Sequence, residues 1–172
     1  MKKYIVALLL SLPLLPLTSL SHAAGFAGAD LVFSSIEPDN ANADADLTAI
    51  QFKFGSWLNS EGTLGFEFRA ALGMDDDDVA GRNVEIDRYY GAYMRGQFPN
   101  SFPVRPYGIL GLSRMETTEQ PGGGENYTDI SLGIGAEMTL SRSLFVSLEY
   151  LRLVDRSGDE ISNLGLGIGG RF

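Results

Sequence analysis

The chain has no cysteine. That absence excludes disulfide staples, thiol catalysis, cysteine-held metals and a lipidated amino-terminal cysteine. Histidine is almost absent too: the single one, His22, lies near the amino terminus. Basic residues are scarce, with 13 Lys and Arg against 22 Asp and Glu, a net charge of −9. Such a balance does not suit nucleic acid, which needs a basic surface. Beyond residue 20 no apolar run is long enough for a membrane helix, and helical spacing of apolar residues is rare.

What is present begins with a leader. Lys2 and Lys3 precede a mostly apolar stretch, Ile5 to Leu20, and Ser21-His22-Ala23 supplies small residues at the key positions of a cleavage site. Residues 1–23 are therefore expected to be a cleaved secretory signal peptide. Pro13 and Pro16 argue against a retained membrane helix. Cleavage removes two lysines and no acid, taking the net charge from −9 to −11. It also removes His22. The remainder, 24–172, is one domain in length, with no linker.

Alternation of apolar and small or polar residues then recurs eight times. The spacing predicts strands near 27–36, 47–58, 63–73, 84–98, 104–116, 127–140, 144–154 and the last eleven residues. In the third, Leu64, Phe66, Phe68, Ala70 and Leu72 oppose Gly65, Glu67, Arg69, Ala71 and Gly73. The fourth sets Ile86, Tyr90, Ala92 and Met94 against Asp87, Tyr89, Gly91, Tyr93 and Arg95. The sixth sets Ile130, Leu132, Ile134, Ala136, Met138 and Leu140 against Ser131, Gly133, Gly135, Glu137 and Thr139. The seventh sets Val146, Leu148 and Tyr150 against Ser147 and Glu149. The terminal strand sets Leu164, Leu166, Ile168 and Phe172 against Asn163, Gly165, Gly167, Gly169 and Arg171. Facing in the fifth, which enters through Pro106, stays open.

The connections alternate as well. Residues 59–62, 99–103 and 141–143 are short and turn-like. Residues 37–46, 74–83, 117–126 and 155–160 are longer and acidic. An all-β, eight-stranded, antiparallel up-and-down transmembrane β-barrel accounts for the pattern, with short periplasmic turns and longer extracellular loops. A soluble barrel would place its apolar face inward. A glycine-rich face with scattered charges suits a crowded lumen better than a solvated exterior. Glu67, Arg69, Arg95, Glu137, Glu149 and Arg171 are expected to pair within that lumen and hold it shut, because buried charges of both signs must pair. A gated ion path is the competing reading of the same residues.

The leader, Arg105-Pro106-Tyr107-Gly108, the Gly133-Ile134-Gly135-Ala136-Glu137 strand and the glycine-rich strand ending in Phe172 resemble the outer membrane protein A-type and opacity-type β-barrel family. The resemblance spans 24–172 and implies the bacterial outer membrane as location. It implies Phe172 as a signal read by the barrel-assembly machinery, and outer-membrane lipid and lipopolysaccharide as surroundings. A monomer is expected. No counterpart of the peptidoglycan-binding domain of larger relatives is expected within 24–172.

Small outer-membrane barrels that are enzymes rely on a histidine, which 24–172 lacks. No catalytic residue and no cofactor is expected. Asp75, Asp76, Asp77 and Asp78 form the most visible acidic cluster. It reads as a solvated loop tip, or else as a weak Ca²⁺ or Mg²⁺ site without calcium-loop spacing. Glu37, Asp39, Asp44 and Asp46 read the same way. Pro121-Gly122-Gly123-Gly124 reads as a flexible loop. Trp57, Tyr89, Tyr90, Tyr93, Tyr107, Tyr127 and Tyr150 divide between interfacial girdles and lumen filling. The expected function is non-enzymatic: envelope integrity, or acidic loops presented for adhesion. A narrow solute channel is the alternative, and a lipid-modifying enzyme comes third.

Overall fold

The computed structural model describes residues 24–37, 45–74, 76–79, 82–99, 101–120, 123–154 and 160–172. Nine strand segments occur in chain order: β1 Gly25–Glu37, β2 Ala45–Trp57, β3 Leu64–Gly73, β4 Asp76–Val79, β5 Arg82–Gln97, β6 Val104–Gln120, β7 Gly123–Thr139, β8 Leu144–Val154 and β9 Glu160–Arg171. Every pairing is antiparallel, β9 pairs with β1, and β3 pairs with β5. The sheet is therefore a closed barrel of eight strands, with β4 continuing β3 along the loop end of β5. No described residue is helical.

Closure sets the dimensions. A path through paired residues leaves β1 at Phe26, crosses Gly55, Glu67, Tyr93, Gly111, Ser131, Leu153 and Ile161, and returns to β1 at Ile36. That stagger over eight strands corresponds to a strand tilt of roughly 40° and a backbone radius of roughly 8 Å. Such a bore is just wide enough for side chains to fill. From Leu140, the residue just past β7, to Ile130, at about 3.3 Å per residue and this tilt, the outward apolar positions cover roughly 25 Å of height, the thickness of an outer-membrane apolar band.

The alternation determines which side faces which solvent. Ile134 is 67% exposed, Phe54 59% and Leu166 58%, while Glu67 and Arg95 are 0% exposed. Large apolar side chains thus cover the outside, and charges fill the inside, the reverse of a soluble barrel. The open facing of β6 is resolved: Tyr107, Ile109 and Ser113 are buried, whereas Leu110 and Leu112 are exposed. Ile109 puts a bulky apolar residue on the inner face, which is why alternation alone did not separate the two sides there.

The short turns lie at one end, together with Gly25 and Phe172. Asn59 organises the first: its Oδ1 accepts from the Thr63 and Leu64 amides at 2.9 and 3.1 Å. Gly62 takes φ 65, the left-handed region that favours glycine. Gly25 and Phe172 close the seam, the Gly25 amide donating to the Phe172 carbonyl at 2.8 Å and the Phe172 amide to the Gly25 carbonyl at 2.9 Å.

Three expectations change at the other, loop end. The segment 117–126 is largely ladder rather than loop, for β6 and β7 stay paired to Glu119 and Gly123. Gly123 and Gly124 are strand residues there, while Pro121 and Gly122 lie outside the described residues. The acidic run is not simply a loop tip: Asp76, Asp77 and Asp78 pair through their backbones with Glu85, Val84 and Asn83, and Asp75 lies outside the described residues. The even alternation expected from Ile86 to Met94 is broken at Asp87, an extra residue in β5, because Ile86 and Arg88 oppose the adjacent Thr117 and Glu116. A β-bulge of this kind resets the face that follows it. The expected signal peptide, 1–23, most of the first loop and 155–159 also lie outside the described residues.

Candidate functional site: the closed lumen

The lumen is built in layers. At the turn end, Phe26, Trp57 and Phe145 form a buried aromatic floor, with the first two rings 5.4 Å apart. Gly169 leaves the space that the Phe145 ring occupies, and Gly65 does the same under Trp57. Gln97 and Arg105 border a pocket of about 110 Å³ beside this floor.

Above the floor runs a continuous chain of ion pairs. Glu149 accepts two bonds from the Arg69 guanidinium, at 2.5 Å from Nη1 and 2.8 Å from Nη2. Arg69 Nε donates to Glu67 Oε1 at 2.6 Å. Glu67 Oε2 accepts from Arg95 Nη1 at 3.2 Å, and Arg95 Nη2 donates to Glu137 Oε2 at 2.7 Å. Glu137 Oε1 accepts from Arg171, whose Nη1 reaches Thr139 Oγ1 at 3.3 Å. The Tyr107 hydroxyl donates to Glu149 Oε2 at 2.8 Å, and the Arg95 guanidinium lies 3.7 Å from the Tyr107 ring centre. Gly135 gives Tyr107 its room, since a Cβ there would collide with the ring. Bidentate pairs and guanidinium stacking are the strong forms of these contacts.

A second group meets the first from the opposite wall. Asp30 accepts from Lys53 Nζ at 2.7 Å and from Gln51 Nε2 at 2.8 Å, and Lys53 also donates to Ser147 Oγ at 3.0 Å. Gly167 faces the Asp30 carboxylate so closely that no Cβ fits. Toward the loop end follow the Tyr89, Tyr93, Ser113 and Ser131 hydroxyls, bonded to one another, with Ser113 and Ser131 2.5 Å apart. Val32, Leu47, Leu151 and Ile161 are buried near the same end.

The structure thus gathers all six residues expected in the lumen, Glu67, Arg69, Arg95, Glu137, Glu149 and Arg171, into one connected chain. Trp57, Tyr89, Tyr93 and Tyr107 face inward, and Tyr90 and Tyr150 outward; Tyr127 has no described side chain. Sequence reasoning missed Asp30, although it is the only charge between Gly25 and Ile36. Its partner Lys53 is likewise the only basic residue between Ala45 and Trp57. Phe172 is exposed on the outer wall beside the seam. The side chains of Asp75 to Asp78 lie outside the described residues, and no acidic group able to hold a metal occurs among those described. Chemically, the lumen offers paired charges and mutually bonded hydroxyls.

The model of the outer membrane protein β-barrel domain family matches residues 4–172. No curated protein matches the chain. Among solved structures, the Yersinia pestis attachment invasion locus protein Ail is 16% identical, with a TM-score of 0.67, covering 87% of this chain and 99% of that one. Neisserial surface protein A is 18% identical, with a TM-score of 0.66 and coverage of 87% and 99%. OprG of Pseudomonas aeruginosa is 14% identical, with a TM-score of 0.59 and coverage of 87% and 95%. With the family match extending over nearly its whole length, the chain belongs to the outer membrane protein β-barrel family of bacterial outer membranes.

Proposed function

We propose that the chain is a non-enzymatic, monomeric scaffold whose barrel is sealed, and which strengthens the envelope and presents its acidic loops at the cell surface. The observation that carries this reading is the ion-pair chain from Glu149 to Arg171 above the aromatic floor. A conducting lumen needs a water-filled path, whereas here opposite charges neutralise one another and rings block the turn end. One structural neighbour is named for attachment and invasion and another as a surface protein, which fits surface presentation. The first was also solved with a heparin analogue. A net charge of −9 argues against a polyanionic glycan as a ligand for this chain's own loops. Phe172, at the exposed end of the seam, serves in this reading as the address for the assembly machinery.

Planar-bilayer recording tests the sealed lumen. The purified, folded chain is expected to give no stable single-channel steps. Steady conductance that Glu67→Gln or Arg69→Gln abolishes or resizes would establish the channel reading instead.

A further inference from the structure

Three segments of the chain meet around the small pocket at the turn end. The first turn contributes Glu61 and Thr63, the end of β5 contributes Gln97 and Phe98 beyond it, and the start of β6 contributes Arg105. The Gln97 backbone amide donates to the Thr63 carbonyl at 2.7 Å and the Phe98 amide to the Pro106 carbonyl at 3.0 Å, which holds the segments side by side. Gly62, also in the lining, covers the edge of Trp57, whose indole would lie 3.9 Å from a Cβ at that position. The pocket therefore sits on the turn side of the aromatic floor, the end that faces the periplasm in such barrels.

Its polar groups are left open. Gln97 is 5% exposed, and neither its Nε2 nor its Oε1 has a hydrogen bond. Arg105 Nε is buried and unpaired as well. No carboxylate among the described residues pairs with Arg105: Glu67 is taken by Arg69 and Arg95, and Glu137 by Arg95 and Arg171. Buried polar groups are nearly always bonded. A buried amide and a guanidinium that line one cavity without partners mark a site completed from outside the chain.

The open groups define the ligand. A primary amide with both atoms free matches a peptide group, its nitrogen donating to a C=O and its oxygen accepting from an N–H. A free guanidinium beside it suits a carboxylate. The Thr63 hydroxyl accepts from Asn59 Nδ2 at 2.6 Å and so can turn its own proton toward the same carboxylate. Glu61, in the lining, repels phosphate and other multiply charged anions. A volume of about 110 Å³ admits a terminal residue with a small side chain. We propose that this pocket binds the carboxyl-terminal end of a peptide, with Arg105 holding the carboxylate and Gln97 the last peptide group. The rest of the peptide runs out past the turns into the periplasm. The site stands whether or not the lumen conducts, because the aromatic floor separates the two.

The test uses the folded, isotope-labelled full chain in detergent micelles and follows the Gln97 side-chain amide by NMR. The probes are N-acetyl-glycyl-glycine, its carboxamide, free glycine and inorganic phosphate. The acetylated acid is expected to shift the Gln97 signal saturably and to bind about tenfold more tightly than the carboxamide, the factor a charge-assisted pair supplies. Arg105→Gln should abolish that difference and Arg105→Lys should keep part of it, while Arg142→Gln, at another turn, leaves it unchanged. Absence of a saturable shift in the wild type overturns the proposal and leaves water in the pocket. Equal affinity for acid and carboxamide also overturns it, and neither comparison needs a variant to fold. Tighter binding of free glycine than of the acetylated peptide overturns it in favour of a small amino-acid site. Displacement of the peptide by an equal concentration of phosphate overturns it in favour of a simple anion site. An equal loss in Arg142→Gln overturns it in favour of general charge attraction.

Discussion

Arg95 shows what one residue does in this lumen. It is fully buried, pairs with Glu67 and Glu137, and stacks on Tyr107. Charge removed from one side of a buried pair strands the other, at a cost of about 3–5 kcal/mol. Arg95→Ala is therefore expected to destabilise the barrel by that amount in urea unfolding, because two carboxylates lose a partner together. Glycines matter for the opposite reason. Gly167→Ala would drive a methyl group into the Asp30 carboxylate and displace it from Lys53. The expected loss is about 1–3 kcal/mol by the same measurement, typical of overpacking. Gly165→Ala, whose Cβ would meet nothing closer than 3.9 Å, should cost less.

Strands are legible in this chain when their two faces differ in kind. β3, β7 and β9 set Leu, Ile or Phe against Gly and charge, so their facing follows from composition alone. β6 failed that test because Ile109 breaks the contrast, whereas β5 passed it from Tyr89 to Arg95 despite the bulge at Asp87. Pairing beyond the tip positions also escaped local reading: acidic and glycine-rich residues such as Glu119 and Gly123 look like loop, yet the hairpin of β6 and β7 carries them as ladder. At the level of the element, the consequence of facing is depth. Leu166 sits mid-wall on β9 and is exposed to lipid. Leu166→Arg is expected to cost about 2–4 kcal/mol in reversible unfolding from lipid vesicles. The same change at Ser162, near the loop end of β9, should cost about 1 kcal/mol or less.

Over the whole molecule, stability comes from two sources that respond differently to salt. Exposed charges are screened within about 10 Å at 0.1 M salt. The lumen pairs are buried and escape that screening. Raising NaCl from low to molar concentration should leave the temperature at which the unboiled, faster-running band disappears on a denaturing gel nearly unchanged. A large drop would place the ion pairs in contact with solvent and open the lumen.

Period-two alternation and the contrast between the two faces were enough to give strand number and barrel class. Each depends only on neighbours along the chain and on the constraint that backbone groups in lipid must be paired. They also yielded six lumen charges, since long charged residues among glycines have no other place to go. Partnership was beyond them. Lys53 and Ser147 are 94 residues apart in the chain, and they meet only because the stagger of the closed sheet brings opposite walls within reach. The same stagger stacks the aromatic floor, the ion pairs and the hydroxyls in layers along the lumen. Closure converts positions that are unrelated in the chain into neighbours, and that conversion is a property of the folded barrel alone.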